Sequence, residues 1–98
     1  MPHFLIQALD RAGAADLRQA LRAKHIDYWL GQGDALKAAG AILKADAPVG
    51  SFFVLEAASE DEARHMIEDD PFTASEVFAG DVRVRMVRPA IGAWLPPA

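Results

Sequence analysis

The sequence predicts an α+β fold in which four strands form one sheet and two helices lie on one of its faces. Two short segments, 3–9 and 51–57, are apolar at both alternate sets of positions, which is typical of strands buried on two sides. Two longer segments, 14–30 and 60–69, instead carry apolar residues at helical spacing. Two further strand-like segments complete the order β-α-β-β-α-β.

Length and composition restrict the classes of protein to which the chain can belong. Its 98 residues suit one domain, and we expect a single domain over residues 1–98 with residues 90–98 as an irregular tail. Apolar residues make up 52% of the chain and charged residues 24%, a balance typical of globular proteins. The net charge of −4 argues against a nucleic-acid partner, because binding to phosphates needs clustered Lys and Arg.

The sequence also argues against a membrane or secreted protein. No apolar run approaches the roughly 20 residues that a membrane-spanning helix requires. The first residues, MPHFLIQALD, do not form a basic region followed by an apolar signal-peptide core. The chain has no cysteine, which fits a reducing compartment. We therefore expect a soluble cytoplasmic protein with no membrane partner.

The first strand and the first helix are separated by a turn at residues 10–13. The strand presents two apolar sets, one of Phe4, Ile6 and Ala8 and the other of Leu5 and Leu9 with Gln7. The helix is expected to bury a stripe at spacings of four, three and four, consisting of Leu17, Leu21, Lys24 and Tyr28. Gly31 and Gly33 then end the helix, as glycine commonly does just past a helix C-terminus.

The second half of the chain supplies the remaining strands and the second helix. We expect a strand over residues 34–43, a loop over 44–50 and a strand over 51–57. Ser59 and Glu62 then form a capping box at the start of the second helix. Pro71 ends that helix, and a short helical turn leads to the last strand over residues 81–88.

This order of elements is that of the ferredoxin-like fold, in which the first and third strands are central. The two strands that are apolar on both faces are the first and the third, in agreement with that topology. Two helices cover only one face of a four-stranded sheet, so the other apolar face needs a cover. We expect a homodimer that packs two sheets together as a dimeric α+β barrel. Trp94 and Leu95 would either reach across that interface or fold over their own subunit.

The candidates for chemistry are three histidines and several acids. His25 lies near the end of the long helix beside the apolar stripe, whereas we expect His3 and His65 to be packed or solvated. Two carboxylates could pair with His25: Asp34, across a Gly-Gln-Gly reversal, or Asp70, after the second helix. Such a pair would act as a general base with its orienting acid.

Each of these residues also has a structural explanation. His25 could be solvated at a helix end, Asp34 could begin a strand, and Asp70 could cap the helical turn that starts at Pro71. The residues alone leave both interpretations open. We expect no metal and no cofactor, because no two histidines share a helix face at ligand spacing.

Four short motifs, taken in order, match a known family. They are Arg22 to His25 as Arg-x-x-His, Asp34 at the family's spacing after it, Ala39-Gly40, and Asp70-Pro71-Phe72. The chain resembles the YciI-like (YCII-related) proteins, small bacterial domains with the ferredoxin-like fold that pair as dimeric α+β barrels. The resemblance runs to about Pro89 and departs at Gly40-Ala41, where Gly-Pro is common.

The resemblance implies an active-site pocket that contains a His–Asp pair, here His25 with Asp34 or Asp70. One branch of the family removes chloride from a chlorinated hydroxyquinone. We therefore expect a pocket between helix and sheet and a metal-independent elimination, isomerisation or hydrolysis of a small aromatic or carbonyl compound. His25 would be the general acid or base, and Arg22 would hold an anionic group of the ligand.

Two alternatives stay open at this point. The chain could be a non-catalytic module of the same fold that binds a metabolite or a neighbouring protein. It could also be a stand-alone monooxygenase of the same barrel class, which would consume oxygen.

Overall fold

The computed structural model of the protein describes residues 1–93 and Leu95. Its elements are β1 (His3–Asp10), α1 (Ala15–Leu30), a 3₁₀ turn (Gly33–Ala35), β2 (Leu36–Lys44), β3 (Ala47–Glu56), α2 (Glu60–Glu68), α3 (Pro71–Ala74) and β4 (Phe78–Val87). The strands form one antiparallel sheet in the order β2-β3-β1-β4. The predicted ferredoxin-like α+β fold is confirmed, with β1 and β3 at the centre.

The core lies between the helices and one face of the sheet. The alternate residues of the two central strands are fully buried there, namely Phe4, Ile6, Ala8, Phe53 and Leu55. The helices contribute Trp29, Ala63, Ile67 and Phe72 to the same cluster. The start of α2 is fixed by the predicted cap, because the Ser59 hydroxyl accepts a hydrogen bond from the Glu62 backbone N–H at 3.1 Å.

No helix of the described residues lies on the opposite face of the sheet, and we call this face the open face. By strand register it consists of Leu5, Gln7, Leu9, Ala38, Gly40, Ile42, Phe52, Val54, Arg83, Arg85 and Val87. Its apolar members are only half-buried or exposed, and Leu9 is 53% exposed. The apolar second face predicted for β1 and β3 is therefore present, and its apolar side chains keep accessible surface in the described structure.

The predicted buried stripe of α1 is wrong at two of its four positions. Lys24 is exposed and Leu17 is 37% exposed, whereas Trp29 is 2% exposed and packs against Phe53 with ring centroids 4.5 Å apart. A large aromatic ring buries more apolar area than a leucine. The helix is therefore rotated so that Trp29 faces the sheet, and His25 turns inward with it.

The predicted loop over residues 44–50 is also wrong, because β2 and β3 form a tight hairpin. Only Ala45 and Asp46 separate the strands, and both adopt left-handed backbone angles, with φ of 50° and 66°. Such two-residue turns suit the twist of adjacent strands. Pro48 lies inside β3, opposite a shift in register between Ile42 and Leu43, where a missing N–H is tolerated.

Part of the tail folds back onto its own chain. Leu95 is half-buried and lines a small cavity with His3, Val54 and Pro89. Trp94, for which the sequence left two positions open, lies outside the described residues.

Among the helices of the described residues, none has both the length and the apolar character needed to span a bilayer.

The close approach of β1 and β3 at Gly50 gives a testable prediction. A Cβ at this position would lie 2.7 Å from the Ala8 carbonyl oxygen and 3.2 Å from Leu9 Cα. These backbone atoms cannot move away without disturbing the strand pair. We therefore expect Gly50→Ala to destabilise the fold by about 2 kcal/mol. Thermal unfolding followed by circular dichroism should show a melting temperature lower by roughly 10 °C.

The matched control is Gly80→Ala in β4. A Cβ there meets nothing within 4 Å, so its effect on stability should be close to zero. Equal melting temperatures for the two variants would contradict the predicted clash.

Candidate active site

A cavity of about 540 Å³ lies between α1 and the edge strand β2. Its lining residues are Ala15, Arg18, Gln19, Arg22, His25, Ile26, Trp29 and Leu30 of α1, with Leu36, Ala39, Gly40, Ala41, Pro48 and Phe72. Three of the four lining residues of β2, Ala39, Gly40 and Ala41, are small and leave space below the helix. This is a typical volume for a small-molecule site.

His25 and Asp70 form a close pair at the wall of this cavity. His25 Nδ1 lies 2.8 Å from each carboxylate oxygen of Asp70. The Asp70 side chain is fully buried and the His25 side chain is 13% exposed. The imidazole therefore separates the carboxylate from the cavity.

Asp70 receives hydrogen bonds from two further donors. Its Oδ1 accepts from the Phe72 backbone N–H at 2.9 Å, which makes Asp70 the cap of α3, with Pro71 in the first turn. Its Oδ2 accepts from the indole Nε1–H of Trp29 at 2.7 Å. All of these partners donate, an arrangement that suits a carboxylate, which only accepts.

The pairing with Asp70 fixes the roles of the two ring nitrogens of His25. Since the carboxylate accepts, we assign the proton of the neutral imidazole to Nδ1, which leaves a lone pair on Nε2. Among the described residues, no side-chain nitrogen or oxygen is both fully buried and without a hydrogen-bond partner. Nε2 of His25 forms no hydrogen bond with these residues, so it cannot be fully buried. Nε2 is therefore accessible, and it is the nitrogen that a ligand can reach.

Aromatic rings hold the imidazole of His25 in place. The Phe72 ring stacks on it with centroids 3.9 Å apart and planes 8° from parallel. The edge of Phe53 approaches from another side at 6.1 Å. The guanidinium of Arg18 also lies over the Phe72 ring, 4.9 Å from its centroid. Phe72 thus contacts both His25 and Arg18.

Arg18 is hydrogen-bonded to the last residue of β1 and to the interior of β3. Its Nη1 donates to both carboxylate oxygens of Asp10 at 3.0 and 3.3 Å. Its Nη2 donates to the Gly50 carbonyl at 2.8 Å and to the Ser51 hydroxyl at 2.7 Å. Burial raises the pKa of Asp10, and the charge and hydrogen bonds of Arg18 oppose this rise. The ion pair has little freedom to move, because side chains from three elements enclose it.

The structure brings together some of the predicted site residues and separates another. His25, Asp70 and Arg22 meet at the cavity, although Arg22 is exposed and forms no ion pair within residues 1–93 and 95. Asp34 lies in the 3₁₀ turn, exposed, and lines the separate cavity under Leu95. His25 is hydrogen-bonded to Asp70 and not to Asp34.

Two residues of the site do not appear among the candidates from sequence. Arg18 and Trp29 lie on the same stripe of α1 as Arg22 and His25, at positions i, i+4, i+7 and i+11. That spacing is visible in the sequence, but its members are polar or aromatic, and the apolar stripe beside it is the stronger signal of a buried face. Within the described part of the chain, no three His, Asp or Glu side chains are grouped as a metal site would require.

Comparison with known proteins identifies the family. The model of the YCII-related domain matches residues 2–89, which is most of the chain. The chain belongs to the YCII-related family. The resemblance inferred from the short motifs is therefore confirmed.

One similar structure within this family carries a ligand. It is 5-chloro-2-hydroxyhydroquinone dehydrochlorinase (TftG) from Burkholderia phenoliruptrix AC1100, in complex with 2,5-dihydroxybenzoquinone. The sequence identity is 30% and the TM-score is 0.82, and the match covers 90% of this chain and 95% of that one. A search among curated proteins by sequence gives no match.

More distant structures share only the fold with this YCII-related protein. An antibiotic biosynthesis monooxygenase has 13% identity and a TM-score of 0.54, and the match covers 93% of this chain and 100% of that one. A NIPSNAP domain protein from Burkholderia xenovorans has 12% identity and a TM-score of 0.54, with coverage of 99% and 100%. At such low identity they give no support for oxygenase chemistry.

Tyr28 offers a direct probe of the charge on Asp70. Its hydroxyl donates to the Met66 carbonyl and so ties α1 to α2. Burial raises the pKa of Tyr28 above its ordinary value of 10.0, and the negative charges of Asp69 and Asp70 raise it further. Tyr28 is the chain's single tyrosine, so ultraviolet absorbance of tyrosinate reports it alone.

We predict that the folded protein ionises Tyr28 at higher pH than the protein unfolded in guanidinium chloride. Because the folded-state pKa is raised, the contribution of Tyr28 to stability is fully present below pH 10.0 and is lost as the pH rises through the folded-state pKa. In Asp70→Asn the pKa of Tyr28 should move back towards the unfolded value. An unchanged titration in that variant would contradict a contribution of Asp70 to the raised pKa of Tyr28.

Proposed function

We propose that this YCII-related protein is a homodimeric small-molecule enzyme in which His25 and Asp70 perform general acid–base catalysis. The observation that carries the proposal is the His25–Asp70 pair, joined at 2.8 Å, with Nε2 accessible at the wall of a cavity. A buried carboxylate behind an imidazole is the arrangement that orients a general base and stabilises the imidazolium it becomes. The reaction would be a metal-independent elimination, isomerisation or hydrolysis.

The proposed step is a proton transfer at Nε2. A ligand O–H, or a C–H next to a carbonyl group, gives its proton to Nε2, and the electron pair stays on the ligand. In an elimination that pair expels the leaving group as an anion, for example chloride. The carboxylate of Asp70 faces the imidazolium through Nδ1–H, so the positive charge formed on His25 lies next to a hydrogen-bond acceptor.

The substrate class follows from the cavity and from the similar enzyme. The cavity lining combines aromatic and aliphatic residues with Arg18, Arg22 and His25. Such a site suits a flat ring that bears acidic oxygens. The TftG structure, 30% identical over 90% of this chain, holds a ring of that kind, 2,5-dihydroxybenzoquinone. We propose a hydroxyquinone or another small aromatic or carbonyl compound as substrate.

The homodimer is proposed from the open face of the sheet. Leu5, Phe52 and Val54 are half-buried in one chain, and they lie next to one another across β1 and β3. Contiguous apolar surface of this kind favours a partner, and a second copy supplies a matching face through a two-fold axis.

Replacement of His25 tests the catalytic role. With 5-chloro-2-hydroxyhydroquinone as trial substrate, we expect chloride release with the native protein and a kcat lower by about 10²–10⁴-fold in His25→Ala. The affinity for 2,5-dihydroxybenzoquinone should change little, since His25 contributes to the proton transfer more than to ligand binding. Chloride release would be measured with an ion-selective electrode.

The control is His65→Ala on the exposed surface of α2, which should keep full activity. Equal rates in the two variants would contradict the role of His25. Ligand binding without turnover, on this substrate and on related hydroxyquinones, would instead support the non-catalytic module of the same fold.

Replacement of Phe52 tests the homodimer. The native protein should sediment at micromolar concentration with twice the chain mass of 10.6 kDa. Phe52→Asp places a charge on the open face and should give a single-chain mass, because a buried unpaired charge costs several kcal/mol. His65→Asp, on the helical side, should keep the native mass. A single-chain mass for the native protein would contradict the homodimer.

A further inference from the structure

The cavity is positively charged at one end and apolar at the other. Arg18, Arg22 and Gln19 line the end nearer the start of α1, whereas Trp29, Leu30 and Leu36 line the opposite end. No Asp or Glu is among the lining residues, although the whole chain carries a net charge of −4. The acid–base step at His25 does not require this asymmetry, so it carries separate information about the ligand.

At the charged end, the two arginines differ in their contacts. Arg18 uses its two terminal nitrogens on Asp10, Gly50 and Ser51, and its Nε–H donates to no group among residues 1–93 and 95. Buried polar side-chain atoms of the described residues all have partners, so Nε keeps accessible surface. Arg22 follows one helical turn later and forms no ion pair within the described ranges. A hydrogen-bonded donor beside an exposed cation is a suitable receptor for an acidic oxygen.

At the other end, the cavity has more room than one ring needs. A cavity of about 150 Å³ holds a benzene ring, and this one has about 540 Å³. Away from the arginines, the cavity is bordered by Ile26, Trp29 and Leu36, which offer apolar surface and one indole whose N–H is already bonded to Asp70. A polar substituent would find no free partner among these side chains, whereas an apolar one would be removed from water.

We propose that the cavity selects an anionic hydroxyquinone or hydroxyaromatic ring that carries an apolar substituent. The acidic oxygen lies at Arg18 and Arg22, the ring lies beside His25, and the substituent extends towards Trp29 and Leu36. This inference rests on the proposed function for the nature of the ring and adds the charge and the shape of the substrate. The order of the groups follows their order along α1, where His25 lies between the arginines and Trp29.

Four probes that differ in charge and in substituent test this selectivity on the unmodified protein. They are 2,5-dihydroxybenzoquinone, its 3-butyl derivative, hydroquinone and butylhydroquinone, with dissociation constants measured by titration calorimetry near neutral pH. The first two are anions there and the last two are neutral. We expect each anion to bind at least about 10-fold tighter than its neutral counterpart, and each butyl compound at least about 10-fold tighter than its parent.

Two variants separate the contributions. Arg22→Met, at an exposed position, should weaken both anions about 10-fold and leave the neutral pair unchanged. Ile26→Ala should reduce the gain from the butyl group and keep the preference for anions. The comparison of the four probes on the native protein stands even if a variant fails to fold.

Equal affinities for anionic and neutral rings would overturn the proposal, as would a loss of affinity on adding the butyl group or no binding of any probe. Turnover that depends on His25 without this binding pattern would overturn the inference and leave the proposed function in place. The binding pattern without turnover would instead overturn the proposed function and leave the inference in place.

Discussion

The buried carboxylate of Asp70 is the interaction on which the rest of the site depends. It accepts hydrogen bonds from the His25 and Trp29 side chains of α1 and from the Phe72 N–H of α3, so it joins two helices. Removing one partner of such a buried charged group typically costs about 3–5 kcal/mol. Because its two partners on α1 are one turn apart, the carboxylate also fixes the rotation of that helix. This rotation decides that the stripe containing Arg18 lines the cavity.

The aromatic residues around His25 restrict the imidazole to one useful orientation. Phe72 covers one face of the ring, Phe53 approaches from another side, and Asp70 occupies Nδ1. Only Nε2 is left to meet a ligand, and no reorganisation of the protein is needed to present it. Preorganisation of this kind is a main source of catalytic advantage in enclosed sites. Phe72 has a further structural role, because its backbone N–H is capped by the carboxylate that its side chain helps to enclose.

The fold was predictable from the sequence because its strongest signals are local. The apolar runs of β1 and β3 identified the central strands, and Pro71 after an acidic residue marked a helix cap. The errors have tertiary causes. The rotation of α1 depends on where Trp29 finds space against Phe53. The tight hairpin places Ala45, an unusual residue for a left-handed angle, before Asp46. The choice of Asp70 over Asp34 as the partner of His25 likewise depends on how the chain folds back, and sequence spacing does not contain that information.

The geometry of β2 connects the cavity to the proposed dimer. Successive side chains of a strand point to opposite faces, so Ala39 and Ala41 border the cavity while Ala38 and Ile42 belong to the open face. A partner packed on the open face would lie across the sheet from His25 and Asp70, whose contacts are complete within one chain. β2 is nevertheless an edge strand, paired only with β3 in the described structure. A partner that packs on the open-face side of β2 would restrain the position of this strand. Dimerisation would therefore influence the shape of the cavity that β2 borders.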